Sequence, residues 1–161
     1  MKHIISALVE NKPGVLAHVS GMFAARAFNI DSLVVGRTED PNLSRMTIIV
    51  NGDDRILEQV RKQLAKLIPV VKVQDFAGEP VVLRDLMLIS ISAPPAKRPE
   101  ILALIEMFKG KVVDIGLKFL TIEISGPEEK IEAFIEVCKP YGIKSVARTG
   151  TIAMTRQTKE A

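Results

Sequence analysis

One ordered pattern of apolar runs occurs twice in this chain, and that repetition limits the fold more than any single motif. In the first half, residues 4–9 read as a strand. Val15, Leu16, Val19, Met22 and Phe23 then recur at helical spacing and make one apolar face. Residues 30–36 are a β-rich run. Over 45–50 the alternate residues Met46, Ile48 and Val50 are apolar, which predicts a half-buried antiparallel strand. Asn51-Gly52-Asp53-Asp54 is a turn with a helix N-cap. Leu57, Val60, Leu64 and Leu67 mark a second helix, Pro69 ends it, and 70–76 is a last strand. The order is βαββαβ.

The second half repeats it. Residues 84–92 read as a strand, and three prolines make 93–99 a loop. Ile101, Leu102, Ile105 and Phe108 form a helical stripe. Residues 112–115 and 119–124 are strands around a turn at Gly116. Ile131, Phe134, Ile135 and Cys138 form another helical stripe, and 143–154 is a strand with a break expected at Gly150. Ala77-Gly78-Glu79-Pro80 is the natural linker. The expected division is a first domain over 1–77, a linker over 78–83, a second domain over 84–154 and a flexible tail over 155–161. Each half should be a four-stranded antiparallel sheet with two helices on one face. The fold class is therefore α+β, two tandem ferredoxin-like βαββαβ sandwiches. Such a unit leaves one sheet face and an edge uncovered, and a homodimer is the simplest cover.

Composition narrows the function classes. The 161 residues carry a net charge of only +3, spread evenly as +2 over 1–77 and +1 over 78–161. There is no Trp and one Tyr. A nucleic-acid surface therefore lacks both its basic patch and its stacking platforms. No apolar run approaches the roughly 18 residues of a membrane span. The apolar stretch near the N-terminus is too short for a signal peptide, so a cytoplasmic location is expected. The single Cys138 excludes an internal disulfide and a cysteine metal cluster.

The richest local segment is Glu10 to Phe23, ENKPGVLAHVSGMF, where a strand passes into a helix through a tight turn. A turn of this kind leaves the first helical N–H groups without partners, and with the helix dipole they suit a carboxylate. Gly14 lets a ligand approach the backbone. Asn11 and Gly14 read equally as an ordinary turn. Asn29, in Phe28-Asn29-Ile30-Asp31, reads either as a left-handed helix cap or as an amide offered to a ligand. Gly21 inside a helix suggests close packing against another element, within the chain or across a dimer. His3 and His18 lack a third ligand type nearby, so no metal or acid–base role is expected for them. Cys138 completes an apolar stripe and reads as a buried structural thiol. Glu58 and Lys62 form an i, i+4 pair. An RNA-recognition surface would need aromatics on the central strands, which carry Ile, Val and Met. An acylphosphatase-like enzyme would need an Arg in the first loop, which reads Asn11-Lys12-Pro13-Gly14. No nucleophile or acid–base cluster is present, so a catalytic role is disfavoured.

The motifs ENKPGVL, FNIDSLVVG, LSRMTIIVNGD and VARTG occur in that order. Together they closely resemble the small regulatory subunit of acetolactate synthase (acetohydroxyacid synthase), over residues 2–154. The first half resembles that family's amino-acid-sensing ACT domain, the second its C-terminal ferredoxin-like domain. The resemblance implies a non-catalytic regulatory subunit of branched-chain amino acid biosynthesis. Such a subunit binds valine or a related amino acid between paired ACT domains and confers feedback inhibition on a separate catalytic (large) subunit. It activates that subunit when no effector is bound. It also implies that Asn11, Gly14, Val15 and Leu16 form one effector-binding segment and Asn29 and Ile30 another, supplied by different subunits. No cofactor is implied in this chain; thiamine diphosphate, Mg and FAD are implied in the catalytic partner. Two segments depart from the family's pattern: Ile115-Gly116-Leu117-Lys118-Phe119, which replaces a more polar turn, and the proline-rich loop 92–99. The alternative reading is a stand-alone ACT-type sensor acting on another partner.

Overall fold

The computed structural model describes residues 1–157. Its elements are β1 (Lys2–Glu10), α1 (Val15–Ala25), β2 (Ile30–Arg37), β3 (Leu43–Asn51), α2 (Asp54–Lys66), β4 (Val70–Asp75), β5 (Val81–Ser92), α3 (Arg98–Met107), β6 (Lys111–Ile115), β7 (Phe119–Gly126), α4 (Glu128–Cys138), β8 (Ile143–Arg148) and β9 (Ile152–Thr155). The chain forms two compact units. One comprises residues 1–82 and the segment beginning at Ile152; the other comprises 83–151. Among the described residues no helix is long and apolar enough to cross a membrane.

In the first unit an antiparallel sheet has the order β2-β3-β1-β4. Strand periodicity turns Ile5, Ala7 and Val9 of β1 and Met46, Ile48 and Val50 of β3 to the same face. There they meet Val15, Val19, Met22 and Phe23 of α1 and Leu57, Val60 and Leu64 of α2. Truncating a buried residue such as Phe23 to Ala typically costs about 3–5 kcal/mol. The N-cap expected before α2 is Asp53, whose carboxylate accepts the Ile56 N–H at 2.9 Å. Glu58 and Lys62 pair at 2.8 Å on the exposed side of α2.

The second unit repeats the plan with the order β6-β7-β5-β8. Met87, Ile89 and Ile91 of β5 and Leu120, Ile122 and Ile124 of β7 pack on Ile101 and Ile105 of α3 and on Ile131, Phe134 and Cys138 of α4. The repeat extends to how the crossover helices stop. After α1, Ala27 is left-handed (φ 54°), its N–H donates to Ala24 O, and the Phe28 N–H reaches Phe23 O at 3.0 Å. After α3, Lys109 is left-handed (φ 55°), its N–H donates to Glu106 O, and the Gly110 N–H reaches Ile105 O at 2.8 Å. Both are Schellman stops. The left-handed residue is thus Ala27 and not Asn29. Ala and Lys carry no sequence signal for that conformation, so the sequence points to the wrong residue.

The break expected at Gly150 is present: β8 and β9 are separate strands on either side of it, and Gly150 is left-handed at φ 88°. β9 pairs with β5, whose first residues Val81 and Val82 also belong to the first unit. The proline-rich segment is only partly a loop. Pro95–Lys97 is a 3-10 turn, and α3 starts at Arg98 with Pro99 in its first turn, where a missing N–H costs nothing. Residues 81–83, expected in the linker, are already strand. Of the expected tail, Thr155 closes β9 and the Arg156 N–H donates to Pro80 O at 2.8 Å; residues 158–161 lie outside the described residues.

Gly21 does not pack closely against anything within the chain. A Cβ built there meets no atom within 4 Å, and the residue opens onto a shallow groove shared with Ala17, Met22, Gln63 and Leu67. Gly21→Ala therefore removes backbone freedom from the unfolded chain without a clash. It should stabilise the protein by about 0.5–1 kcal/mol, read as a higher denaturant midpoint at unchanged m-value. A lowered midpoint would mean that another molecule needs the bare helix surface.

Candidate functional site

The loop after β1 is held from both sides. The Asn11 N–H donates to Asn42 O at 2.8 Å, and its side-chain amide donates to Pro41 O at 3.0 Å. These bonds tie the loop to the β2–β3 turn. That turn is itself braced by Asp40, whose carboxylate accepts the Asn42 N–H at 2.9 Å. Gly14 follows as the N-cap of α1, left-handed at φ 83°, with open space where a Cβ would stand. It offers no side chain to the helix, and the first turn holds no acidic residue. The Val15 N–H makes only a long 3.4 Å bond to Lys12 O, and the His18 N–H returns to Gly14 O at 2.9 Å. Between them, the amides of Leu16 and Ala17 have no intrahelical acceptor. The helix end is thus a set of unclaimed donors on the positive end of a dipole. Leu16 is 46% exposed beside them, whereas the Val15 side chain is buried in the core, so Val15 can serve a ligand only through its backbone.

The second predicted segment lies elsewhere. Asn29 is exposed and donates to Asp31 Oδ1 at 2.9 Å. Asp31 in turn accepts from the Asn51 amide. Ile30 opens β2, half-buried against the first core. Register fixes how far apart the two segments are. Glu10, just before the loop, sits opposite Leu43, whereas Ile30 sits opposite Val50 on the same strand. The seven residue steps from Leu43 to Val50 of β3 span about 23 Å at roughly 3.3 Å each. The structure brings Asn11, Gly14, Val15 and Leu16 together at one end of the sheet, and Asn29 with Ile30 at the other.

Two features escaped the sequence reading. On the sheet face away from the helices, a cavity of about 560 Å³ is lined by Val34, Phe76, Met154, Arg37, Arg45 and Thr47, among others. Arg45 donates to Ser6 Oγ at 2.9 Å, and Gln74 donates to Thr155 Oγ1 at 2.9 Å. Its last wall comes from β9, far along the chain, so no local pattern announces it. None of the six predicted site residues lines it. The other feature is a buried ion pair in the second unit. Asp85 is 2% exposed and accepts from Arg148 Nη2 at 2.7 Å and Nε at 3.1 Å. Arg148 also donates to Glu132, and the Leu86 N–H donates to Thr149 Oγ1 at 3.2 Å. This accounts for Arg148 and Thr149 of the VARTG motif as structural residues.

Among the described residues no three His, Cys, Asp or Glu side chains are grouped to hold a metal. His3 is buried and donates through Nε2 to Gly52 O at 3.0 Å. Cys138 is buried, and burial pushes its thiol up to about 11, which keeps it protonated and unreactive near neutral pH.

Known proteins resemble the chain along nearly its whole length. Residues 5–72 match the family model described as an AHAS small subunit-like ACT domain, and residues 84–157 the model described as small subunit of acetolactate synthase. The chain is 53% identical over 160 residues to a probable acetolactate synthase small subunit of Archaeoglobus fulgidus, covering 99% of this chain and all of that one. It is 44% identical over 161 residues to the acetolactate synthase small subunit of Bacillus subtilis, covering 99% and 94%. The crystal structure of the small subunit from Thermotoga maritima superimposes with a TM-score of 0.92 at 42% identity, covering 98% of this chain and 99% of that one.

Proposed function

The chain belongs to the acetolactate synthase small-subunit family, and on that premise we propose that it binds valine, or a related branched-chain amino acid, between the ACT domains of two copies. Binding imposes feedback inhibition on a thiamine-diphosphate-dependent catalytic subunit, and the effector-free form activates that subunit. The cofactor chemistry belongs to the partner; this chain only senses and transmits.

The observation that carries the reading is the separation along β3. One effector cannot touch both predicted segments of a single chain across about 23 Å. Two copies can solve the problem. β2 is an edge strand, so two β2 strands can pair antiparallel about a two-fold axis. That pairing sets the start of one β2, at Asn29 and Ile30, beside the end of the other, at Arg37. Arg37 sits opposite Ser44, next to the Leu43 position that faces Glu10. The Gly14 loop of the second copy therefore comes up against Asn29 of the first. The effector's carboxylate lies on the Leu16 and Ala17 amides, the asparagine side chains hold its ammonium end, and Leu16 with Ile30 receives the branched side chain. An effector spanning two chains favours one arrangement of the pair by its differential affinity, typically about 1–3 kcal/mol.

Calorimetric titration of the purified chain with valine tests this, with leucine, isoleucine and alanine as comparisons. Saturable valine binding is expected. Asn29→His fills the space and removes the amide contacts, and should weaken valine at least tenfold. Unchanged affinity in that variant, or no effector binding with or without the catalytic subunit, would overturn the assignment.

A further inference from the structure

We propose that the cavity on the open face of the first sheet is a second ligand site, built for a small aliphatic carboxylate. Strand register makes its floor. Val34, Thr47, Ser6 and Gln74 stand in one row across β2, β3, β1 and β4, and Gly36 with Arg45 in the next. Both rows alternate with Ile5, Ala7, Met46 and Ile48, which point into the helix-covered core, so they face the other way. β9 supplies a wall with Ile152 and Met154. That wall is fixed: Thr155 Oγ1 accepts from Gln74 Nε2 at 2.9 Å and donates to Glu79 Oε2 at 3.2 Å. The cavity is therefore formed before any ligand arrives, and its volume of about 560 Å³ falls in the range of small-molecule sites.

Three features separate the cavity from an ordinary surface hollow. Thr47 is 3% exposed, and its hydroxyl has no hydrogen-bond partner among the described residues. Among those residues no fully enclosed side-chain oxygen lacks a partner, so this hydroxyl meets the open space of the cavity. A polar group buried this deeply takes its partner from whatever fills that space. Gly36 leaves a gap in the floor: a Cβ built on it meets no atom within 4 Å. Arg45 commits only Nη1, to Ser6 Oγ at 2.9 Å. That bond holds the guanidinium on the floor, and its other N–H groups have no partner among the described residues.

These groups select a chemistry. A guanidinium with unused donors, and a hydroxyl two residues along the same face of β3, match the two oxygens of a carboxylate. Val34, Phe76 and Met154 receive an aliphatic chain. The same apolar lining disfavours strongly hydrated ions such as sulfate or phosphate. Arg37 and Glu39 also line the cavity, where β2 runs out. Glu39 offers a carboxylate to a ligand that carries an ammonium group. Two sources share the aliphatic carboxylate, a 2-oxo acid and an amino acid. The cavity lies across the sheet from the helix end at Gly14, so a ligand here is separate from the proposed effector.

The test titrates the isotope-labelled full chain and follows its backbone amides by NMR. The probes are 4-methylpentanoate, 4-methyl-2-oxopentanoate and leucine, which share one carbon skeleton and differ only beside the carboxylate. Each is run in wild type and in Gly14→Asp, which disables the proposed effector loop. Saturable shifts at Gly36, Thr47 and Met154 are expected in both. Gly36→Leu fills the gap without displacing an atom, and should weaken binding at least tenfold at unchanged melting temperature. Arg45→Gln should weaken it at least tenfold as well. Thr47→Val should weaken it about tenfold with no loss of stability, since the hydroxyl bonds to nothing in the described chain. Tighter binding of leucine assigns Glu39 to its ammonium group; tighter binding of either other probe makes the site one for acids without that group. Binding of every probe lost in Gly14→Asp, affinity unchanged in all three cavity variants, or no saturable shift from any probe at about 10 mM overturns the site. Valine inhibition retained in Gly14→Asp bears on the effector loop alone and leaves the cavity result standing.

Discussion

Gly14→Asp should lose valine binding, and with it feedback inhibition, while activation of the catalytic subunit persists. The substituted carboxylate would stand at the helix end where the effector's own carboxylate is to lie. Two like charges about 5 Å apart, at an effective dielectric near 20, repel by about 3 kcal/mol, on the order of a hundredfold in affinity. The fold should tolerate the change. A Cβ at residue 14 meets nothing within 4 Å. The left-handed backbone at φ 83° costs an ordinary side chain about 1–2 kcal/mol, less for Asp or Asn. Gly14→Asn is therefore the matched control, with the same backbone strain and no charge, and should keep valine binding within about tenfold. Mixing variants tests the two-chain site directly. In a dimer of one Gly14→Asp chain and one Asn29→His chain, one site carries both lesions and the other carries neither. Random exchange makes about half of the dimers mixed, so about a quarter of all valine sites should return on mixing two inactive proteins. If mixing restores nothing, the two segments do not meet across subunits, and normal valine inhibition in Gly14→Asp removes the loop from the site altogether.

Arg148→Met should destabilise the second unit strongly. The Asp85 carboxylate is almost fully buried and takes both its short contacts from Arg148. Without the guanidinium it keeps only the Thr149 hydroxyl, at 3.4 Å. Breaking a buried pair by deleting one partner costs about 3–5 kcal/mol. Arg148 is 29% exposed, so water can reach the vacated side, and the lower end, about 3 kcal/mol, is expected. Thermal unfolding should show a drop of more than about 10 °C for a unit of this size. Asp85→Leu combined with Arg148→Met removes both charges and should recover most of that loss. Equal stability of Arg148→Met and wild type would show that the pair holds nothing. Valine affinity should follow neither change, since no predicted effector residue touches the pair.

The two ends of the predicted site were legible in the sequence to different depths. Asn11-Lys12-Pro13-Gly14 between an apolar strand and an amphipathic helix reads as a tight strand-to-helix joint because Gly permits φ 83° and Pro fixes its neighbour. The loop's donors follow from helix geometry alone. Asn29 reads in the sequence as either a left-handed cap or a ligand amide, and the left-handed residue is Ala27, where tertiary packing overrides residue preference. Gly21 inside a helix suggests a packing contact, and within the chain it faces open space. A local pattern says that a residue is unusual, not what lies across from it.

The sequence by itself determined the α+β class, both βαββαβ orders, the strand and helix faces and the two cores. These depend on periodicity, and periods of two and 3.6 residues are visible in any window of a dozen residues. Only the tertiary structure decided what depends on distance. The register of β3 puts the Gly14 loop and Asn29 at opposite ends of one sheet. The pairing of Asp85 with Arg148, the return of β9 toward β5, and the clamp of Arg98 on the β6–β7 turn join residues that no local window contains. Such contacts form because burying a charge or a main-chain carbonyl demands a partner, and the fold, not chain order, determines which partner is within reach.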